Sequence, residues 1–230
     1  MLIQFVLLII AAYLVGSIPT AFLVAKWRRG IDIREYGTGN IGASNVKEAV
    51  STRWSIAVTL FDIAKGAVMV WLAQTLGLGI GQQAVIGIAA IVGHNWTIFL
   101  QFEGGRGIFT SLGVITALDP RAGLVALILS YLFAPFKLLP VRVFIALILL
   151  PILSSTLSGP LGVTDPRTTT LAFIVILVIA LFRRMTAPKT VLSATVSKTE
   201  LIINRLLLDR DIKDREAWLN QRRPEVKTTK

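Results

Sequence analysis

Seven apolar runs, near residues 2–25, 55–75, 82–102, 108–118, 121–135, 142–158 and 168–182, constrain this chain more than any other feature. Most approach the roughly 20 residues that a helix needs to cross a bilayer core. Lipid offers a backbone group no hydrogen-bond partner, so only helices and closed barrels span it. The fourth and fifth runs are short, which predicts half-crossing or re-entrant helices whose ends are satisfied by protein or water around a polar cavity. The expected fold is therefore an all-α polytopic membrane protein of about seven transmembrane helices. At 54% apolar residues and a mean hydropathy of +0.71, the chain is too hydrophobic for an ordinary soluble domain. The first run has no positively charged leader and exceeds a signal-peptide core in length, so it reads as a retained span.

Charge sets the expected topology. A net charge of +11 in a soluble protein would point to nucleic acid. Here the cations gather in alternate loops, those after the first, third, fifth and seventh runs, which hold Lys26, Arg28, Arg29, Arg34, Lys47, Arg53, Arg106, Lys137, Arg142, Arg183, Arg184 and Lys189. The other loops hold only Arg121 and Arg167. By the positive-inside rule the N-terminus lies outside and the C-terminus in the cytosol. The expected partner of the surplus charge is anionic lipid headgroup and not nucleic acid. Residues 190–230 mix both signs of charge with a partly amphipathic Leu/Ile pattern, which divides the chain into a membrane-embedded domain, 1–189, and a charged cytosolic tail, 190–230. There is no cysteine and a single histidine, so neither a disulfide framework nor a thiolate or His-rich metal site is available. No internal repeat is visible.

Two polar segments stand at the expected cytosolic ends of spans. The first, "YGTGNIGASN", places the hydroxyls of Thr38 and Ser44 and the amides of Asn40 and Asn45 among Gly37, Gly39 and Gly42. A loop of this composition is often a plain connector, but its backbone can also form a concave nest that suits phosphate. The second, "GHNWTIFLQFEGGRG", sets Arg106 among Gly104, Gly105 and Gly107, a guanidinium able to hold phosphate oxygens in bidentate fashion. His94 and Asn95 fall near the end of the third run, where polar side chains are costly; they either bond neighbouring helices or touch a ligand. Asp62 and Lys65 are three apart on one helical face and are expected to pair. The chain has no GxSxG elbow and no HExxH motif, and the HxxxxD acyltransferase pattern fails because Phe99 lies five residues beyond His94. Any chemistry must then rest on positioning and on an already activated substrate.

"GSIPTAFLVAK", "GIDIREYGTGNIGASNV", "FDIAKG" and "GHNWTIFLQFEGGRG" together resemble the PlsY family, the acyl-phosphate:glycerol-3-phosphate acyltransferases of bacterial membranes. The likeness covers roughly the first half of the chain. It implies a seven-span fold, no metal or other cofactor, and a bacterial inner-membrane enzyme with its active site facing the cytosol. The implied reaction moves a fatty acyl group from acyl phosphate to the sn-1 hydroxyl of glycerol 3-phosphate, giving lysophosphatidic acid and phosphate. Arg106, standing where the family usually has lysine, Thr38 and Asn40 become the candidate catalytic residues. Gly37, Gly39, Gly42, Ser44, Asn45, His94, Asn95, Gly104, Gly105, Gly107 and Lys137 become candidate substrate-binding residues.

The departures are specific. Glu48 stands where an arginine is expected, and a carboxylate at a phosphate site would repel the ligand, so Glu48→Arg would tighten phosphate binding if Glu48 faces the site. In "FKLLPVRVFIALILLP" Lys137 keeps a charge, while Pro140 and Val143 fall where serines are expected. The His and Asn expected after the last span are matched by neither "FRRMTAPKT" nor "ELIINRLLLDRD". Two alternatives stay open: a catalytically impaired paralogue that binds phospholipid precursors or partners another acyltransferase, and a transporter of a phosphorylated solute. The missing inverted repeat speaks against transport.

Overall fold

The computed structural model describes residues 2–131, 139–156, 165–188 and 190–220, and every regular element among them is helical. The helices are α1 (Leu2–Ser17), α2 (Thr20–Arg29), α3 (Ala43–Ala49), α4 (Thr52–Thr75), α5 (Ile80–Asn95), α6 (Ile108–Leu118), α7 (Pro120–Tyr131), α8 (Leu139–Thr156), α9 (Pro166–Met185), α10 (Lys198–Leu208) and α11 (Arg215–Asn220). The all-α membrane architecture expected from the apolar runs is met. Among the described residues five stretches are long and apolar enough to cross a membrane: Leu2–Arg29, which joins α1 and α2, then Thr52–Thr75, Ile80–Leu100, Leu139–Thr156 and Pro166–Met185. Large apolar side chains such as Leu7, Leu60, Trp71, Leu171 and Val178 point outward from them, as a lipid-facing surface requires.

The two short runs form α6 and α7, of 11 and 12 residues. At 1.5 Å per residue each is roughly 17 Å long, about half of a ~30 Å hydrocarbon core. They form a hairpin around Asp119, whose Oδ1 accepts the backbone N–H groups of Arg121 (3.0 Å) and Ala122 (3.2 Å) and so caps the start of α7.

The first span is broken. Pro19 has no backbone N–H and separates α1 from α2, which leaves carbonyls without helical donors. Thr97 Oγ1 donates to the Ser17 carbonyl at 2.5 Å, and Lys65 Nζ donates to the Ile18 carbonyl at 3.2 Å. Lys65 is in turn paired with Asp62 at 2.9 Å, so the intramembrane charge pair read from the sequence anchors the break. The break turns α2 and the polar loop after it toward the end of the bundle where α5 and α9 also finish.

Backbone-to-backbone contact sets the helix spacing. At the α1–α5 crossing a Cβ added to Gly16 would overlap the Ala90 carbonyl, and one added to Gly93 would overlap that of Tyr13. The α4–α6 crossing repeats the device, Gly113 lying on the Ile63 carbonyl and Gly66 on that of Thr110. Small residues at a crossing let two helices approach closely where apolar burial gives no net drive in lipid. Gly93→Leu is therefore expected to destabilise the protein by about 1–3 kcal/mol, read as a lowered unfolding temperature in detergent. Gly77→Asn, at a positive φ with nothing within 4 Å of an added Cβ, should leave that temperature nearly unchanged.

Candidate functional site

The glycine-rich loop is organised from below by one amide. Asn45, at the first turn of α3 and fully buried, donates through Nδ2 to the carbonyls of Ile33 (3.0 Å), Tyr36 (2.9 Å) and Asn40 (3.1 Å). Its Oδ1 accepts the Thr38 N–H at 3.1 Å. Gly37, at φ 53°, lies so close over that oxygen that a Cβ would collide with it. The loop is thus held by its own backbone before any ligand arrives. Asp32 and Arg34 fix its outer edge: the Arg34 guanidinium grips the Asp32 carboxylate (Nη2–Oδ2 2.7 Å) and reaches Glu103 at 2.8 Å, tying the loop to the segment after α5. Arg34 holds the Asp32 carboxyl below the usual carboxylate range, and the same contact raises the Arg34 guanidinium.

The GGRG turn packs against the end of α5. Gly105 N–H donates to the His94 carbonyl at 3.0 Å, and a Cβ on Gly105 would strike His94 Nε2. Arg183, near the end of α9, donates through Nε to the Gly105 carbonyl (2.9 Å) and through Nη2 to that of Gly104 (2.7 Å). Arg106 Nη1 returns a bond to the Arg183 carbonyl at 3.0 Å, and its Nε lies 2.9 Å from Asp209 Oδ1. Gly107 then opens α6 at φ 71°, with the Asn95 side chain packed beneath it. His94 Nδ1 is 3.6 Å from Asp62 Oδ1, so the Asp62–Lys65 pair also touches the imidazole.

Two cavities meet between these segments. A cavity of about 180 Å³ has a polar mouth, including Asn40, Ser44, His94, Arg106, Arg184 and Asp209, and an apolar body between α6, α7 and α8 lined by residues such as Leu112, Ile115, Leu127 and Leu147. A second cavity of about 270 Å³ is polar, with Arg34, Thr38, Asn40, Arg106, Arg183, Asp211 and Trp218 in its wall. Asn40 and Arg106 belong to both. The wall of the polar cavity also holds Asp32, Glu35 and Glu103, and the arrangement suits two ligands that meet at one point, one with an apolar chain and one small and polar.

The candidate residues read from the sequence gather here. Asn40, Gly42, Ser44, His94, Arg106 and Gly107 line the apolar cavity; Thr38, Gly39, Asn40, Gly104 and Arg106 line the polar one. Gly105 faces a small recess beside His94 and Asp62. Asn45 and Asn95 are buried, and half-buried Gly37 lines neither cavity. Lys137 lies outside the described residues. Glu48 lines neither cavity, although its Cβ lies close to Gly37; its Oε1 accepts from Arg215 Nη2 at 2.8 Å, so Glu48→Arg would break a contact with the tail. Sequence reasoning took Arg183 for a topological charge and passed over Asp209, Asp211 and Trp218. The arginine doublet at the end of the last span was the one visible signal.

The fold and the site define a helical membrane enzyme in which an apolar and a polar cavity share a basic junction. A model of the glycerol-3-phosphate acyltransferase family matches residues 6–194. Glycerol-3-phosphate acyltransferase 5 of Dehalococcoides mccartyi (strain ATCC BAA-2266 / KCTC 15142 / 195) is 48% identical over 217 residues, 94% of this chain and 93% of its own. Glycerol-3-phosphate acyltransferase 4 of strain CBDB1 of that species is 47% identical over 94% of each chain. Among solved structures, the glycerol 3-phosphate form of PlsY, an integral membrane glycerol 3-phosphate acyltransferase, superposes with a TM-score of 0.71 at 29% identity, covering 79% of this chain and 88% of that one. Its lysophosphatidic acid form gives 0.69 at 28% identity. The chain belongs to the glycerol-3-phosphate acyltransferase family and is an acyltransferase enzyme.

Asn45→Ala removes the support of the loop and leaves three backbone carbonyls and one N–H to find new partners. The expected loss is about 1–3 kcal/mol of stability, read as a lower unfolding temperature, together with a higher KM for the phosphorylated acceptor.

Proposed function

We propose that the protein transfers a fatty acyl group from acyl phosphate to the sn-1 hydroxyl of glycerol 3-phosphate, releasing lysophosphatidic acid and inorganic phosphate. The observation that carries this reading is the junction of the two cavities at Asn40 and Arg106. The acyl chain lies in the apolar body, its phosphate reaches the polar mouth, and glycerol 3-phosphate occupies the polar cavity.

In the reaction the acceptor oxygen attacks the acyl carbonyl and the bond from that carbon to the phosphate oxygen breaks. The hydroxyl proton ends on the departing phosphate, so no protein base is required. Arg106 stabilises the negative charge that develops on the phosphate, and Thr38 and Asn40 orient the two reactants. Ser44, His94 and the glycine backbones of both segments complete the phosphate contacts, with Lys137 as a further cation. Asp62 fixes the His94 ring and Lys65 balances its charge within the bundle.

The site faces the cytosol of the bacterial inner membrane in this reading. In support, Lys26, Arg28 and Arg29 end α2 at the same end of the bundle as both polar segments. There Trp27 and Trp54 stack edge to face at 5.2 Å with Arg28 over both rings, a pairing suited to the headgroup layer.

The test supplies purified protein with palmitoyl phosphate and glycerol 3-phosphate and measures phosphate and lysophosphatidic acid together. Both should form in equal amounts. Arg106→Ala should lower kcat/KM by roughly 100-fold or more in protein that still folds, and full activity in that variant would remove the junction from the mechanism. Turnover with an acyl thioester and none with acyl phosphate would overturn the donor. Folded protein with no turnover would leave the loops a binding role only.

A further inference from the structure

The tail beyond the family-matched region supplies a carboxylate to the site. Residues 198–208 form α10 against α8 and α9, and the chain then turns through Asp209 at φ 54°, a left-handed conformation. This turn brings Asp209 into the mouth of the apolar cavity, 2.9 Å from Arg106 Nε. The alignment with the Dehalococcoides mccartyi relatives, at 94% of this chain, extends past this position.

Arg106 and Arg184 line that mouth, Arg183 stands in the wall of the polar cavity, and Asp209 pairs with Arg106. Arg183 donates to the Gly104 and Gly105 carbonyls, and Arg184 to those of Leu206 and Pro140. Among the described residues neither meets a carboxylate. Arg106 and Asp209 are in ionic contact, yet neither Arg106 Nε nor Asp209 Oδ1 makes a hydrogen bond, although both atoms are buried. A buried guanidinium without an anion is costly, while an ion pair without donor alignment is readily exchanged for one with it.

The turn is held independently of this carboxylate. Asp211 pairs with Arg205 at 2.7 Å and accepts from Thr190 at 3.2 Å; its carbonyl accepts from Asn204 at 3.1 Å. Arg205 also donates to the Met185 carbonyl at 2.7 Å, and Arg215 reaches Glu48. The Asp209 side chain can therefore leave Arg106 without the tail leaving the bundle.

We infer that Asp209 is the resident counter-anion of Arg106, exchanged for the phosphate of the acyl donor on binding and restored as inorganic phosphate departs. The inference rests on the reading of the apolar cavity as the donor site. It places the exchange on the donor side because Asp209 lines the apolar cavity, whereas the polar cavity is lined by Asp211 and Trp218. Asp209 acts through Arg106 and is not a catalytic residue. Its contribution is to keep phosphate affinity low enough for product to leave.

The experiment compares the full-length protein with Asp209→Asn, which keeps the shape and tolerates the left-handed backbone. Asp209→Gly is a second charge-free variant suited to that backbone. The inhibition constant of inorganic phosphate and the KM for palmitoyl phosphate should both fall by about three- to fivefold, with the KM for glycerol 3-phosphate unchanged. Asp209→Glu should return both toward the parent values. A raised donor KM, or an unchanged inhibition constant, would overturn the inference and make Asp209 a group that merely holds Arg106. Calorimetric binding of inorganic phosphate separates this from the donor assignment. If the parent protein does not turn over acyl phosphate, tighter phosphate binding by Asp209→Asn still supports the counter-anion, and equal binding overturns it.

Discussion

Irregular backbone at the edge of a hydrocarbon layer has to find hydrogen-bond donors inside the protein, and in this molecule many of the donors are cations. Lys65 answers the Ile18 carbonyl at the break in the first span. Arg183 answers Gly104 and Gly105, Arg106 answers Arg183 itself, Arg184 answers Leu206 and Pro140, and Arg205 answers Met185. A long, permanently charged side chain does this well because it can reach a carbonyl and still leave donors over. The break, the glycine turn and the tail attachment each include a contact of this kind.

That solution shapes the site. The guanidiniums that secure these carbonyls bring positive charge with them, so a cluster gathered for structural reasons becomes a basic junction where α5, α6 and α9 converge. The close helix crossings at Gly93 and Gly113 fix the elements that carry it. Acyl transfer from an activated donor asks mainly for orientation and charge stabilisation, and a rigid basic junction between an apolar and a polar cavity offers both.

The sequence disclosed what is local and periodic. Spans follow from continuous apolar runs, the hairpin of short helices from two runs too short to cross, and the two polar loops from glycines beside amides and an arginine. The interactions decided by distant partners were hidden. Glu48 read as a repulsive intruder because Arg215, its partner, lies 167 residues away. Arg183 read as a topological charge because it bonds backbone carbonyls, which every sequence provides and none advertises. Asn45 read as a group facing substrate, whereas its polar atoms are occupied by the loop it supports. Asp209 sits in a tail whose mixed charges resemble any solvated helix, and only the left-handed turn after α10 reveals where its carboxylate points.

The Asn45 bonds carry one further consequence. A glycine-rich loop left to itself samples many conformations, and a ligand that ordered it would lose part of its binding free energy to that restriction. Here the restriction is imposed when the chain folds, through four hydrogen bonds from a single side chain. In the proposed function, binding of a phosphate by this loop then needs little further loss of chain entropy. Under the proposed reaction, which releases phosphate in every cycle, the same bonds act in the other direction as well, since they hold the loop when the ligand leaves and keep it ready for the next one.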